Sequence, residues 1–203
     1  MPGGPLAAWE TRWAKVVEQF TPGTETQKVI MGVLDGVALH GDDLIAGWKA
    51  YLSVYPEQLA EASVRHYLRF FPLWERTERL ESRDAKLFYH QMLVEASQNL
   101  LGVLAGLNRR YYSTFQFKRM RRFVDRLRVA PEHLADRLDA LFMLDPADAG
   151  IELERLVTET VALVETHMPT VDTASVRRLI GERQRPWTAE SLRSDVVRLL
   201  GIQ

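Results

Sequence analysis

The sequence contains no cysteine. This absence excludes disulfide bonds, thiol nucleophiles, and zinc or iron–sulfur centres held by cysteine. The sequence also has no apolar run of the roughly 20 residues that are needed to cross a bilayer. Its first residues, MPGGPLAAWETRW, have neither the basic region nor the apolar region of a signal peptide. We therefore expect a cytoplasmic protein that does not enter a membrane.

Motifs that hold nucleotides or metal ions are missing as well. There is no glycine-rich phosphate loop and no Gly-x-Ser-x-Gly nucleophile turn. His66 follows Glu61 by five residues and His90 precedes Glu95 by five, which is not the Glu-x-x-His spacing of helical di-iron sites. The sequence therefore predicts no metal site and no evident cofactor.

The sequence is rich in apolar residues at three- and four-residue spacing, the period of an amphipathic helix. Short proline- and glycine-containing linkers separate these segments, and short linkers favour antiparallel neighbours. We predict an all-α fold, an up-and-down bundle of about eight to nine helices around one long central apolar helix near residues 83–108. Residues 1–170 form this bundle, and residues 171–203 are expected to be a C-terminal helical appendage packed on it.

Within this scheme several segments carry specific expectations. The segment 57–81 is predicted to be helical, with a kink or an interruption near Phe70–Phe71 caused by Pro72. Further helices are expected at 114–128, 131–143, 147–167, 172–182 and 188–201. Residues 35–42, DGVALHGD, interrupt the helical pattern and are predicted to form a turn, in which one short extended piece is the only plausible strand.

Charge is concentrated in one place. The whole chain has 26 basic and 27 acidic residues, so no global field attracts nucleic acid. Residues 109–128, RRYYSTFQFKRMRRFVDRLR, hold eight basic residues against the single acid Asp125. Five aromatic residues are interleaved with them: Tyr111, Tyr112, Phe115, Phe117 and Phe123. Basic side chains bind phosphate and aromatic rings offer stacking faces, so the segment suits a phosphorylated ligand.

A structural interpretation of the same segment stays open. In it, the segment is an amphipathic helix whose arginines form an ordinary solvated face. Its core-facing residues are then Phe117, Met120, Phe123, Val124 and Leu127.

A second motif is Arg83-Asp84 followed by His90. It resembles the Arg-x(4–6)-His signature of the HEPN ribonucleases. The resemblance implies that Arg83 stabilises a scissile phosphate and that His90 transfers a proton during attack by a 2′-hydroxyl group. The alternative is that His90 is an ordinary helix residue.

Two longer stretches carry another resemblance: VALHGDDLIAGWKAYLSVYPEQLAEASVRHYLRF and SRDAKLFYHQMLVEASQNLLGVLAGLNRRYYSTFQFKRM. Together they resemble the helical C-terminal domain of nucleotidyltransferases of the polymerase-β superfamily, of the aminoglycoside-nucleotidyltransferase kind. The resemblance covers roughly residues 35–145. It implies ligand-binding roles for the end of the central helix and the segment after it. The candidate residues that follow from it are Asn108, Arg109, Arg110, Tyr111, Tyr112 and Lys118. Arg122 of the same basic segment is added as a further candidate.

The sequence departs from that family at the catalytic half. Such enzymes hold Mg-nucleotide with a Gly-Ser turn and an Asp-x-Asp pair on an α/β domain, and neither motif occurs here. We therefore expect a substrate-binding or accessory domain and not a complete nucleotidyltransferase. It would bind a phosphorylated or nucleotide-type small molecule, or a catalytic partner protein. A homodimeric interaction module that uses Trp9 and Trp13 is a further alternative.

Overall fold

Helices form the regular structure of the described part of the chain. The computed structural model describes residues 5–76 and 84–180. In these ranges there is no strand, so the predicted all-α class is confirmed, and residues 36–41 form a non-helical connection without the extended strand that the sequence made plausible there. Helices α1 to α5 are Pro5–Val17, Thr24–Asp35, Asp42–Ser53, Glu57–Tyr67 and Lys86–Leu107. A 3-10 helix at Thr114–Arg119 is followed by α6 Met120–Val124, α7 Leu134–Ala140, α8 Pro146–His167 and α9 Ala174–Leu179.

The centre of the fold is the packing of α4 and α8 against α5. Thirteen of the 22 residues of α5 are buried. α8 also has 22 residues, so two helices of equal length share the core where the sequence predicted one long central helix. Within the described ranges, no helix is both long enough and apolar enough to span a membrane.

The buried apolar residues of the two described ranges form two hydrophobic clusters. The larger cluster joins α4, α5 and α8 and also takes in Tyr112 and Phe123. The smaller cluster is formed by Trp13, Val16, Ile30, Leu52, Leu59 and Tyr111. Consecutive residues of the basic segment, Tyr111 and Tyr112, are thus buried in different clusters, and Tyr55 packs against both. The basic segment therefore crosses the boundary between the two clusters.

The predicted helical segment 57–81 is interrupted before Pro72. α4 ends at Tyr67, residues 68–72 are not helical, and residues 73–76 are helical again. A proline ring in a continuous helix would clash with the carbonyl group four residues earlier, here that of Leu68. Of the two predicted outcomes, a kink or an interruption near Phe70–Phe71, the structure has the interruption, and it begins at Leu68.

The predicted helix 114–128 is also replaced by shorter elements. The 3-10 helix ends at Arg119, whose φ of −139° and ψ of 33° are not helical, and α6 has only five residues. Phe115 and Phe117 are two residues apart and cannot share one face of an α-helix. In the structure Phe117 packs on the core, whereas Phe115 is exposed between Lys28 and Lys118. The other residues expected to face the core do so: Met120, Phe123, Val124 and Leu127.

Two further helices are shorter than predicted. The segment 131–143 forms a helix only at Leu134–Ala140, because His133 before it has a left-handed φ of 54°. α9 covers Ala174–Leu179 of the predicted 172–182, and the predicted helix 188–201 lies outside the described residues.

The start of the expected C-terminal appendage is part of the main core. Val171 and Val176 are buried in the larger cluster. Arg177 of α9 binds Glu165 of α8 through two hydrogen bonds of 2.8 and 2.5 Å. This guanidinium group, with Thr173, lowers the pKa of Glu165 to about 2. The rest of the appendage, 181–203, lies outside the described residues.

Candidate functional site: a cleft lined by arginines

The C-terminal end of α5 turns the chain toward the candidate site. The amide of Arg109 donates to the carbonyl of Gly106 at 3.0 Å, and the amide of Arg110 donates to that of Ala105 at 2.9 Å. These are the two hydrogen bonds of a Schellman motif, which needs a left-handed residue just after the helix. Arg109 takes that position with φ 52°, where glycine is usual. An arginine is therefore placed at the turn against the backbone preference.

Asn108 closes the loop that follows. Its side-chain nitrogen donates to the carbonyls of Leu104 at 2.7 Å and Val129 at 2.8 Å. Its side-chain oxygen accepts from the amides of Arg128 at 2.7 Å and Val129 at 2.9 Å. With four hydrogen bonds to the backbone, Asn108 holds the two ends of the segment 109–128 together. Its role is structural, and it does not line the cleft described below.

The two tyrosines after the turn anchor the segment to the core. The hydroxyl group of Tyr111 donates to the carbonyl of Leu52 at 3.0 Å, and that of Tyr112 donates to the carbonyl of Gln98 at 3.0 Å. The amide of Tyr112 donates to the side-chain oxygen of the buried Gln27 at 2.6 Å. Burial raises the pKa of both tyrosines. Both hydroxyl groups are therefore protonated donors to the backbone at neutral pH.

These anchors leave a cleft of about 170 Å³ where the smaller cluster meets the basic segment. Of the residues that the structure describes, five arginines and one carboxylate, Asp35, line it. The arginines are Arg109, Arg110, Arg119, Arg122 and Arg126. They come from the turn after α5, the 3-10 helix, α6 and the loop beyond it. Because the cationic side chains converge from several segments on one concave surface, they differ from a solvated face of a single helix.

The floor of the cleft is apolar and aromatic. It is lined by Met31, Leu34, Leu52, Tyr55, Tyr111 and Phe123. The rings of Tyr55 and Tyr111 lie 4.9 Å apart and are tilted by 55°. Burial raises the pKa of Tyr55 to about 12, so its hydroxyl group also stays protonated.

The five arginines differ in how they are bound. Arg109 forms a bidentate pair with Glu57, at 3.0 and 2.5 Å, and donates to the carbonyl of Leu107 at 2.6 Å. Arg110 donates through Nε to the carbonyl of Arg126 at 3.0 Å.

The remaining arginines are bound weakly or not at all. Arg126 lies 3.8 Å from Asp35, beyond hydrogen-bond distance. Across residues 5–76 and 84–180, neither Arg119 nor Arg122 has a carboxylate partner. Unpaired guanidinium groups beside an apolar floor give the cleft the features of an anion site.

The candidate residues predicted from sequence are only partly brought together. Arg109, Arg110, Tyr111 and Arg122 line the cleft. Asn108, Tyr112 and Lys118 do not: the first two hold the backbone, and the ammonium group of Lys118 lies 5.2 Å from the ring of Phe115. Neither tyrosine is free to stack on a ligand with both faces, because both are buried.

Three charged residues of the cleft were not among the candidates. Arg119 and Arg126 lie in the basic segment, so its charge pattern already contained them. Asp35 lies more than 70 residues earlier, and no pattern along the chain connects it with the arginines.

The residues of the other hypotheses are placed differently. Arg83 lies outside the described residues, and His90 is exposed on α5 beside Tyr89 at 5.3 Å between ring centroids. Trp13, expected on a surface patch, is buried against Trp48 at 5.0 Å between ring centroids. In the described part of the chain, no group of three or more His, Asp or Glu side chains is placed to hold a metal ion.

Comparisons with known proteins add no relative. No family model matches the chain, and neither does any curated protein or solved structure.

Proposed function

We propose that this chain is a helical substrate-binding or accessory domain that binds a phosphorylated small molecule in the arginine-lined cleft. The observation that carries the proposal is the pair Arg119 and Arg122, which lack carboxylate partners in the described ranges and stand beside Arg110 and Arg126. Guanidinium groups bind phosphate oxygens through charge-assisted hydrogen bonds, and planar forks favour phosphate over a simple halide ion.

The volume and the apolar floor of the cleft limit the size and the chemical class of the ligand. A cleft of about 170 Å³ is smaller than the ~300–1,000 Å³ of pockets that enclose a drug-sized ligand. It accommodates a phosphate group with a small apolar or planar part against Tyr55, Tyr111 and Phe123, while the remainder of a larger ligand extends outside. A nucleotide-type molecule, with one phosphate in the cleft, satisfies this condition.

The chemistry performed on such a ligand is assigned to a partner. The resemblance to the helical domain of nucleotidyltransferases implies that the catalytic carboxylates belong to another domain or protein. In this proposal the cleft binds and orients the phosphorylated substrate, and a catalytic partner protein supplies the metal-binding residues.

Isothermal titration of the full chain with orthophosphate and AMP tests the binding. We expect both to bind, adenosine to bind more weakly than AMP, and the double variant Arg119→Gln/Arg122→Gln to lose about tenfold or more in affinity, because hydrogen bonds to charged groups contribute about 1.5–3 kcal/mol each. Affinity should also fall as the salt concentration rises.

A matched control removes the same charge elsewhere. Arg128→Gln/Arg155→Gln changes two exposed arginines that do not line the cleft. It should bind AMP nearly as well as the wild type. Equal losses in the two double variants would show a nonspecific charge effect, and no binding of either phosphate compound to the wild type would refute the proposal.

A further inference from the structure

Asp35 is the one carboxylate that lines the cleft among the residues described there. Its side chain is 64% exposed, and it shares the cleft with five arginines, of which Arg126 lies 3.8 Å away. A lone carboxylate weakens the attraction of such a site for an anion. Its presence therefore calls for an explanation other than phosphate binding.

The position of Asp35 in its helix is also unfavourable. It is the last residue of α2, and the last turn of α2 has no basic residue. The carbonyl end of a helix carries a partial negative charge, which disfavours an acidic side chain. The same helix end already holds one ammonium group: Lys49 donates through Nζ to the carbonyl of Gly36 at 2.6 Å. The carbonyl end of α2 thus attracts cations, and Asp35 is its residue that lines the cleft.

Asp35 is also held loosely. The guanidinium nitrogen of Arg126 lies 3.8 Å from its carboxylate oxygen, whereas the carboxylate oxygens paired with Arg109 and Arg121 lie at 2.5 to 2.6 Å from the guanidinium nitrogens. The carboxylate group is therefore free to accept hydrogen bonds from a ligand without breaking a strong pair. Arg126, in turn, is free to move toward a phosphate group.

We propose that the cleft recognises a dipolar ligand, a phosphate ester that also bears an amino group a few atoms away. The phosphate group is bound by Arg119, Arg122 and Arg126, and the ammonium group is bound by Asp35 at the carbonyl end of α2. This inference rests on the proposed phosphate-binding function and adds a specificity that the function alone does not require. Asp35 is then a specificity-determining residue.

Two phosphate esters of nearly equal size distinguish recognition of a dipolar ligand from phosphate binding alone. O-Phosphoethanolamine and propyl phosphate differ by an ammonium group in place of a methyl group. In titration calorimetry of the full chain we expect O-phosphoethanolamine to bind about tenfold more tightly, as a charge-assisted hydrogen bond would provide. In Asp35→Asn this preference should disappear, while propyl phosphate binds as well as before or more tightly.

Two further variants complete the design. Asp35→Glu keeps the charge and should retain a preference for the amino ester. Asp43→Asn makes the same charge change at an exposed residue outside the cleft and should leave the preference unchanged. Circular dichroism of each variant checks that the helices are intact.

The outcomes are distinguishable. Equal binding of the two esters to the wild type overturns the dipolar ligand but leaves the phosphate site standing. If Asp35→Asn tightens both esters equally, Asp35 is only a competing anion on Arg126, and the inference is again wrong. If neither ester binds the wild type, the proposed phosphate-binding function fails as well.

Discussion

At the scale of single residues, the left-handed backbone of Arg109 conflicts with its side chain. A residue with a Cβ in this conformation costs about 1–2 kcal/mol relative to the right-handed form. In exchange the arginine gains an exposed pair with Glu57, with side-chain exposures of 40% and 63%, and a hydrogen bond to the carbonyl of Leu107 at 2.6 Å. Exposed pairs contribute only about 0–1 kcal/mol. The strain and the contacts are therefore similar in size, and stability gives no strong reason for an arginine at this position.

Substitution of Arg109 by glycine tests this balance. We expect Arg109→Gly to change the free energy of unfolding by no more than about 1 kcal/mol, because the relieved strain offsets the loss of the exposed pair and of the hydrogen bond to Leu107. Urea unfolding followed by circular dichroism measures the change. Glu57→Gln is the control, since it removes the pair but keeps the strain, and it should be slightly destabilising. A loss of more than about 1 kcal/mol in Arg109→Gly would show that the pair dominates.

The aromatic residues of the basic segment are compatible with two different roles. Five aromatics interleaved with basic residues suit nucleotide stacking as well as core packing. The structure buries Tyr111 and Tyr112 and uses their hydroxyl groups as donors to backbone carbonyls. The hydrogen bonds that decide between core packing and stacking join residues 14 to 59 positions apart, so the role of these tyrosines could not be predicted from the local sequence.

At the scale of elements, α4 and α5 approach each other closely at two glycines. A Cβ added at Gly106 would lie 2.8 Å from Cγ2 of Val64 and 2.9 Å from the carbonyl oxygen of Ala60. A Cβ added at Gly102 would overlap the ring of Tyr67. These glycines are four residues apart and lie on the same face of α5. Their lack of side chains lets α4 pack directly on the α5 backbone.

The pair of variants Gly102→Ala and Gly47→Ala should change stability in opposite directions. Alanine at 102 must displace the base of the Tyr67 ring, and such overpacking costs about 1–3 kcal/mol. Gly47 lies exposed in α3 with no atom within 4 Å of an added Cβ. Alanine there should stabilise by about 0.5–1 kcal/mol through helix propensity. Thermal unfolding of both variants measures the difference, and stabilisation by Gly102→Ala would contradict the close approach.

A helix boundary could be predicted where the residues that mark it lie at the boundary itself. Asp145-Pro146 begins α8 within one residue of the predicted start, because proline suits the first turn of a helix. The segment 114–128 was wrongly predicted as one helix, because the apolar spacing from Phe117 to Leu127 is helical, whereas the backbone of Arg119 breaks the segment into a 3-10 helix and α6. In that segment tertiary packing of Phe123 and the tyrosine anchors determines the backbone.

At the scale of the whole molecule, the cleft lies where the two hydrophobic clusters meet. Its lining residues come from α2, α3 and Tyr55 on one side and from residues 109–126 on the other. Among the described residues, Tyr55 is the one side chain that packs against both clusters. A ligand in the cleft would therefore add contacts between two parts of the fold that share little buried surface.

Hydrogen exchange with and without AMP should detect this coupling. We expect slower exchange of amides that open locally in the last turn of α2 and in residues 119–126, because the bound ligand restrains both sides of the cleft. Amides in the middle of α8 that exchange through local openings are the internal control and should change little. Slowing confined to 119–126 would mean that the ligand contacts the basic segment alone.

The sequence by itself determined the helical class, since periodicity and turn residues act over only a few positions and require no tertiary information. It also located the basic segment, and four of the candidate residues named from it line the cleft: Arg109, Arg110, Tyr111 and Arg122. Tertiary structure alone decided that Arg119 and Arg126 join them, that Asn108 and Tyr112 hold the backbone, and that Asp35 faces the arginines. The physical reason is that the cleft residues are brought together by contacts between segments that are distant in the sequence. The buried tyrosines that fix those contacts are also the residue type that would stack on a ligand, so their role cannot be read from their identity.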